Sequence, residues 1–202
     1  MEEKISENNQ TNNKTSRQRA FVVFLLNAFE FIKTMIIIVA LAFAIRVFIV
    51  QPFVVEGESM EPTFQSKDYL ITEKISYRLR LPKQGEIIIF NPPDKPSENY
   101  IKRIIAVPGD KVAVKGGSVY INDRIISEPY LSEMDKTLVA QKEGYTTVLK
   151  EDEYFVMGDN RSHSRDSREI GSIPGQNIIS KVWFRLLPVE SARVFGAVNY
   201  QN

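Results

Sequence analysis

The feature that most constrains this chain is an apolar run that begins within fifty residues of the first Met and ends at a proline. Residues 1–19 (MEEKISENNQTNNKTSRQR) show no apolar period and read as a disordered tail. From Ala20 the chain turns apolar, and Met35 to Ile45 includes no polar side chain. Arg46 interrupts, Val47-Phe48-Ile49-Val50 resumes, and Gln51-Pro52 closes the run. Residues 34–50 approach the length of a membrane span, so the question is whether Arg46 forbids insertion. Eleven Ile, Leu, Phe and Val residues lie there, together worth roughly −5 kcal/mol, against about +2.5 to +3.5 for an Arg at the bilayer centre. An Arg near an end costs less because it snorkels. The apolar sum wins, and residues 20–52 are expected to form a single-pass anchor.

Lys14, Arg17, Arg19 and Lys33 precede the span. The positive-inside rule then places the N-terminus in the cytoplasm and everything after Pro52 on the far side. Residues 20–31 are too short and interrupted to span alone, and are expected to extend the helix or lie in the interface. Two alternatives stand beside a permanent anchor. One is a cleavable signal peptide, for which Ala42-Phe43-Ala44 offers a small-residue site although the apolar run continues past it. The other is a buried core helix.

Composition removes much of the usual catalytic vocabulary. There is no Cys, so disulfides, thiolate metal sites and a Cys nucleophile are excluded. The single His, His163, leaves no His-rich metal site, and no cofactor is indicated. A net charge of +1 argues against a dedicated nucleic-acid surface. After Pro52 the helical period disappears. Strand-like runs fall at 53–56, 69–75, 86–90, 100–107, 118–121, 153–157 and 178–185, separated by Gly, Pro, Asn and Asp turn formers. This predicts an all-β body over residues 53–202, built as a curled antiparallel sheet. Residues 111–149 read as a looser, more polar insertion with a hairpin at Asn122-Asp123.

Three segments have chemical potential. Gly57-Glu58-Ser59-Met60-Glu61-Pro62 places a Ser on a tight turn, either an exposed nucleophile or an ordinary turn residue. In Tyr100-Ile101-Lys102-Arg103-Ile104-Ile105, Lys102 and Ile104 share one strand face while Ile101, Arg103 and Ile105 share the other. A Lys desolvated on such a strand loses charge and becomes a competent base, whereas the plainer reading is an edge-strand guard. The loop 158–168 gathers Asp159, His163, Ser164, Asp166 and Arg168. A Ser-His-Asp triad there lacks the shielded acid that such a base needs.

Taken together, these segments resemble bacterial type I signal peptidases, membrane-bound Ser-Lys endopeptidases, from about Ile45 to Pro188. Gly57-Glu58-Ser59-Met60-Glu61-Pro62-Thr63 is similar to the family's nucleophile box, and Asp68-Tyr69-Leu70 to the next. The 85–90 and 100–110 segments resemble the boxes around its Lys. Gly158-Asp159-Asn160-Arg161-Ser162-His163-Ser164-Arg165-Asp166-Ser167-Arg168 resembles the last. The resemblance implies Ser59 as nucleophile, Lys102 as general base, and Ser164 as a hydrogen-bond partner of the Lys ammonium. It implies Arg103, Asp159, Asp166 and Arg168 as structural ion pairs. Phe53, Val55, Met60, Ile89, Tyr100 and Ile101 are implied as pocket residues for small side chains at Ala-X-Ala sites. Some members carry a Ser at the position of Gly57, so the resemblance implies oxyanion support here mainly from the Ser59 backbone N–H, with a water or another backbone donor beside it.

The implied partners are preprotein signal peptides and the lipid bilayer, near the secretion translocon. The implied location is the plasma membrane or an internal thylakoid-type membrane. Two other functions compete: a self-cleaving Ser-Lys repressor, which needs a DNA-binding module, and a non-catalytic tethered β-domain.

Overall fold

A computed structural model describes residues 23–43, 46, 50–131 and 144–200. The chain divides into two compact units, Met1–Val47 and Phe48–Asn202. In the first, helix α1 (Val23–Phe43) is long and apolar enough to cross a membrane, and its apolar side chains are exposed. It shares residues 34–43 with the expected 34–50, and residues 44, 45 and 47–49 lie outside the described residues. The polar residues that look like interruptions are satisfied locally. Lys33 pairs with Glu30 at 2.5 Å, and the Thr34 hydroxyl donates to the Glu30 carbonyl at 2.8 Å. Polar groups that bond within one turn do not end a helix. Arg46 is helical as well, and Val50 belongs to a strand. The tail at 1–19 and Ala44 of the small-residue site lie outside the described residues.

The body is all-β, as expected. Its larger sheet joins eight strands, all antiparallel, and curls as a half-barrel. These strands are β1 (Val50–Val54), β2 (Tyr69–Glu73), β3 (Ile87–Phe90), β4 (Tyr100–Ala106), β9 (Glu153–Met157), β10 (Ile173–Pro174), β11 (Ile178–Leu187) and β12 (Arg193–Val194). The order is β1-β2-β11-β3-β4-β9-β10, with β12 on β11. Pro52 sits in β1, the edge strand, where a missing N–H costs no ladder bond.

A separate four-stranded sheet holds β5 (Lys111–Lys115), β6 (Ser118–Ile121), β7 (Arg124–Ile125) and β8 (Tyr145–Val148), in the order β7-β6-β5-β8. The region read as loose is thus ordered sheet on both sides of residues 132–143, which lie outside the described residues. Lysines at both ends of β5 mask it in the sequence. Between them Val112, Ala113 and Val114 are buried, and Val112 and Val114 pack with Phe155 and Met157. The expected hairpin is present. Asn122 (φ 52°) and Asp123 (φ 64°) form a two-residue left-handed loop pairing Ile121 with Arg124.

One apolar cluster supports the site. Val55, Met60, Phe64, Leu70, Ile87, Ile89 and Val182 pack together between β1, β2, β3 and β11.

Candidate active site

Ser59 lies on the turn that follows β1. That turn is pinned to the sheet by Val55 N–H donating to the Asp68 carbonyl (2.9 Å) and Lys67 N–H donating to the Val55 carbonyl (2.8 Å). From the other side, the Asn160 N–H donates to the Ser59 carbonyl at 3.1 Å. The approach is close enough to require glycine at 158. A Cβ there would lie 2.4 Å from the Ser59 carbonyl oxygen and 2.2 Å from Ser164 Oγ.

Lys102 stands on β4, 4% exposed, and its Nζ donates to Ser59 Oγ at 2.7 Å and to the Ile101 carbonyl at 2.9 Å. Burial pushes its pKa down to about 8; the charges of Asp166 and Asp159 oppose the shift without cancelling it. Among the described residues no carboxylate lies within ion-pair distance of Lys102. A neutral amine beside a hydroxyl can take that hydroxyl's proton, which is the chemistry a weak Ser nucleophile needs.

Arg103, one residue on, is held the opposite way. Its Nε and Nη2 meet Asp159 at 2.9 and 2.6 Å, and its guanidinium lies 3.9 Å from the Tyr130 ring centroid. Burial alone would lower its pKa, but the Asp159 bonds outweigh it and the pKa is raised. The Thr63 hydroxyl also donates to Asp159, at 2.5 Å, tying the Ser59 turn to the same carboxylate. Asp166 is fully buried and accepts from Gly158 N–H (3.0 Å), Arg168 (2.8 Å) and Ser164 Oγ (2.7 Å). Burial works against its charge, yet these donors hold its carboxyl below the ordinary range.

Three of the predicted positions have a distinct setting in the structure. Ser164 Oγ is directed to Asp166, and among the described residues no hydrogen bond joins it to Lys102. That bond uses the hydroxyl's one donor and leaves its lone pairs able to accept. Met60 is 1% exposed and packs with Val55, Leu70 and Ile89, which line the cleft. A Cβ at Gly57 would meet only open space, but the backbone there has a φ of +85°, so the glycine is needed for its conformation and not for clearance within the fold.

The remaining predicted residues, Phe53, Val55, Ile89, Tyr100 and Ile101, line one cleft of about 710 Å³ with Gly57, Ser59 and Lys102. Two strand edges face it. Among the described residues β1 pairs only with β2, and β4 pairs with β9 from Arg103 onward, which leaves residues 100–102 bonded on the β3 side alone. His163 also reaches the cleft, but its Nδ1 lies 2.8 Å from Ser162 Oγ, within its own loop.

A family model described as "Signal peptidase, peptidase S26" matches residues 28–187. The chain belongs to this signal peptidase family. It is therefore a hydrolase of the peptidase class. A probable signal peptidase I-2 of Synechocystis sp. is 42% identical over 78% of this chain and 72% of that protein. The signal peptidase I of Bacillus amyloliquefaciens is 37% identical over 89% and 95%, and that of Leptolyngbya laminosa 40% identical over 83% of each.

Several residues that build this peptidase's site escape sequence reading. The buried Arg161–Glu128 pair and Tyr130 brace the 158–168 loop and Arg103 from a distant segment of the chain. No local pattern marks Glu128 as a partner. Thr63 has a signal, since it lies within the motif that contains Ser59. Arg165, on the cleft rim, pairs with Asp94 and Glu169.

Proposed function

We propose that this chain is a membrane-anchored serine endopeptidase that removes N-terminal signal peptides from exported preproteins after small residues, at Ala-X-Ala-type sites. One observation carries the reading: Ser59 Oγ lies 2.7 Å from the Nζ of a buried Lys whose pKa has fallen to about 8. In the proposed reaction, neutral Lys102 takes the Ser59 proton as Oγ bonds to the scissile carbonyl carbon. The resulting ammonium then protonates the leaving amine as the C–N bond breaks, and an acyl-Ser59 ester remains. Water, deprotonated by Lys102, attacks the ester, and Ser59 regains its proton as the signal peptide leaves. The Ser59 backbone N–H is the proposed oxyanion donor.

The two open strand edges support binding of the substrate as an added extended strand. Apolar walls formed by Phe53, Val55, Ile89 and Ile101 favour small side chains. Ser164 and Asp166 act on the Lys indirectly, by fixing the loop and setting the local field. With α1 as anchor and Lys14, Arg17 and Arg19 ahead of it on the cytoplasmic side, the body lies at the outer face, where preproteins emerge near the translocon. Anchoring confines enzyme and substrate to one interface.

The test is processing of a preprotein panel, with the cut mapped by mass spectrometry. Ser59→Ala and Lys102→Met should each abolish it in folded protein, and the double variant should be no worse than either single one. Processing that survives in folded Ser59→Ala protein overturns the reading and favours a non-catalytic tethered domain.

A further inference from the structure

The gap in the β4 edge ends at a side chain that the proposed reaction does not use. β9 leaves β4 after the Arg103–Met157 pairing, and residues 100–102 stay open toward the cleft. At the far end of that opening Arg165, which also lines the cleft, crosses from the 158–168 loop. Its Nη1 lies 3.4 Å from Tyr100 Oη, its Nε donates to Glu169 at 3.1 Å, and its Nη2 pairs with Asp94 of the β3–β4 connection. Both anchorages are fixed. On either side of Arg165, Ser164 and Asp166 are joined by a 2.7 Å bond. The connection that carries Asp94 is tied by Asn91 Nδ2 to the Glu98 carbonyl at 2.7 Å, and by Asn91 N–H to the Asn177 carbonyl at 3.0 Å. A guanidinium has five N–H donors. Three of them meet partners among the described residues, which leaves two for a ligand at the cleft surface, where the side chain is 35% exposed.

We propose that Arg165 determines specificity for the fourth substrate residue before the cut, by donating to a neutral carbonyl oxygen on its side chain, as in Gln or Asn. The inference deepens the reading of the cleft as a signal-peptide site and rests on it. Side chains alternate along a strand. Where residues one and three enter the apolar pockets beside Ile89 and Ile101, residues two and four face the other way, toward Lys102 and Tyr100, which share the opposite face of β4. Residue four lies about 6.6 Å along the strand from residue two, the same step that separates Tyr100 from Lys102. It therefore arrives beside Tyr100 Oη and Arg165. A carboxylate there would meet Asp94 and Glu169, which already hold the guanidinium, and a cation would meet the guanidinium itself. A neutral acceptor avoids both repulsions.

The test uses preproteins that keep the Ala-X-Ala site and carry Gln, Ala, Glu or Lys at residue four, with residue five varied in parallel. Full-length parent, Arg165→Ala and Arg165→Lys proteins are assayed, and each cut is mapped by mass spectrometry. In the parent, Gln should exceed Ala, Glu and Lys in kcat/KM by about tenfold, the range of one hydrogen bond to a charged group. Arg165→Ala should erase that advantage through KM with kcat retained, and leave the Ala substrate unchanged. It should also turn the preference toward Lys, because Asp94 loses its cation. Arg165→Lys should keep part of the Gln preference. A mutant cycle between residue 165 and substrate residue four separates the contact from any loss of fold. Equal losses on the Gln and Ala substrates would show a structural role alone and overturn the proposal, as would coupling to residue five in place of four. Parent protein that does not cut at the Ala-X-Ala site overturns the signal-peptide reading itself, and is recognised before any variant is compared.

Discussion

The two sides of β4 each hold a buried cation, and the contrast between Lys102 and Arg103 explains how the site is built. Arg103 meets a carboxylate through two bonds, lies against an aromatic ring, and has its charge reinforced. Lys102, adjacent in sequence and on the opposite face, meets a hydroxyl and a carbonyl, and burial weakens its charge. The carboxylates that could neutralise Lys102 are occupied elsewhere, Asp159 by Arg103 and Asp166 by Arg168. One cation is held by a carboxylate while its neighbour is left with neutral partners. The lesson is that a depressed Lys pKa here depends on where the nearby acids are committed as much as on burial.

Substitution on the two sides should separate these roles. Lys102→Met should lower processing on the order of 10⁴-fold and leave the fold intact, because it removes a buried cation that has no carboxylate partner. Arg103→Met should do the reverse in kind, lowering stability by about 3–5 kcal/mol as Asp159 is left buried and unpaired. Urea midpoints and preprotein processing, measured on both variants, read the two effects. Equal destabilisation by both would break the comparison.

Acidity should sharpen it. The folded pKa of Lys102 lies near 8, below the ordinary 10.5, so the unfolded chain binds more protons between those values. Stability should therefore rise with pH across that window, and the penalty should be complete below about pH 8. Lys102→Met should exceed the parent in stability there by on the order of 3 kcal/mol, with the gap closing toward pH 10.5 in paired urea titrations. The acidic limb of kcat/KM should have its midpoint near the Lys102 value in the parent. Because the Asp166 charge raises the Lys pKa, Asp166→Asn should move that limb to lower pH. His163→Ala should leave it in place. A limb that disappears with His163 would reassign the base.

The smallest effect is expected at Gly57, where there is room for a side chain but the backbone is left-handed. Gly57→Ser should cost about 1–2 kcal/mol in thermal or urea unfolding, with processing retained. Complete loss of activity in folded protein would mean that the substrate needs the space.

Some of this is legible in the sequence because it is local. The β-rich runs at 118–121 and 153–157 mark β6 and β9 to the residue, and Asn122-Asp123 marks its hairpin. The motifs around Ser59 and Lys102 name two residues that lie 43 positions apart in sequence and 2.7 Å apart in space. Other features are obscured because the sequence shows a residue's polarity but not its partner. Lys33 and Thr34 look like the start of a span and are paired along the middle of α1. Lys111 and Lys115 make a buried strand look like a loop, and nothing local marks Asp166 as the acceptor of the Ser164 hydroxyl.

By itself, then, the sequence determined an apolar helix ahead of an all-β body, the absence of thiol chemistry, and the pair Ser59 and Lys102 as the residues to watch. These follow from residue type, period and short motifs. Only the tertiary structure decided which acid serves which base: Asp159 with Arg103, Asp166 with Arg168 and Ser164, Glu128 with Arg161. Coulomb and hydrogen-bond energies depend on distance and burial, which strand pairing sets between residues far apart in the chain.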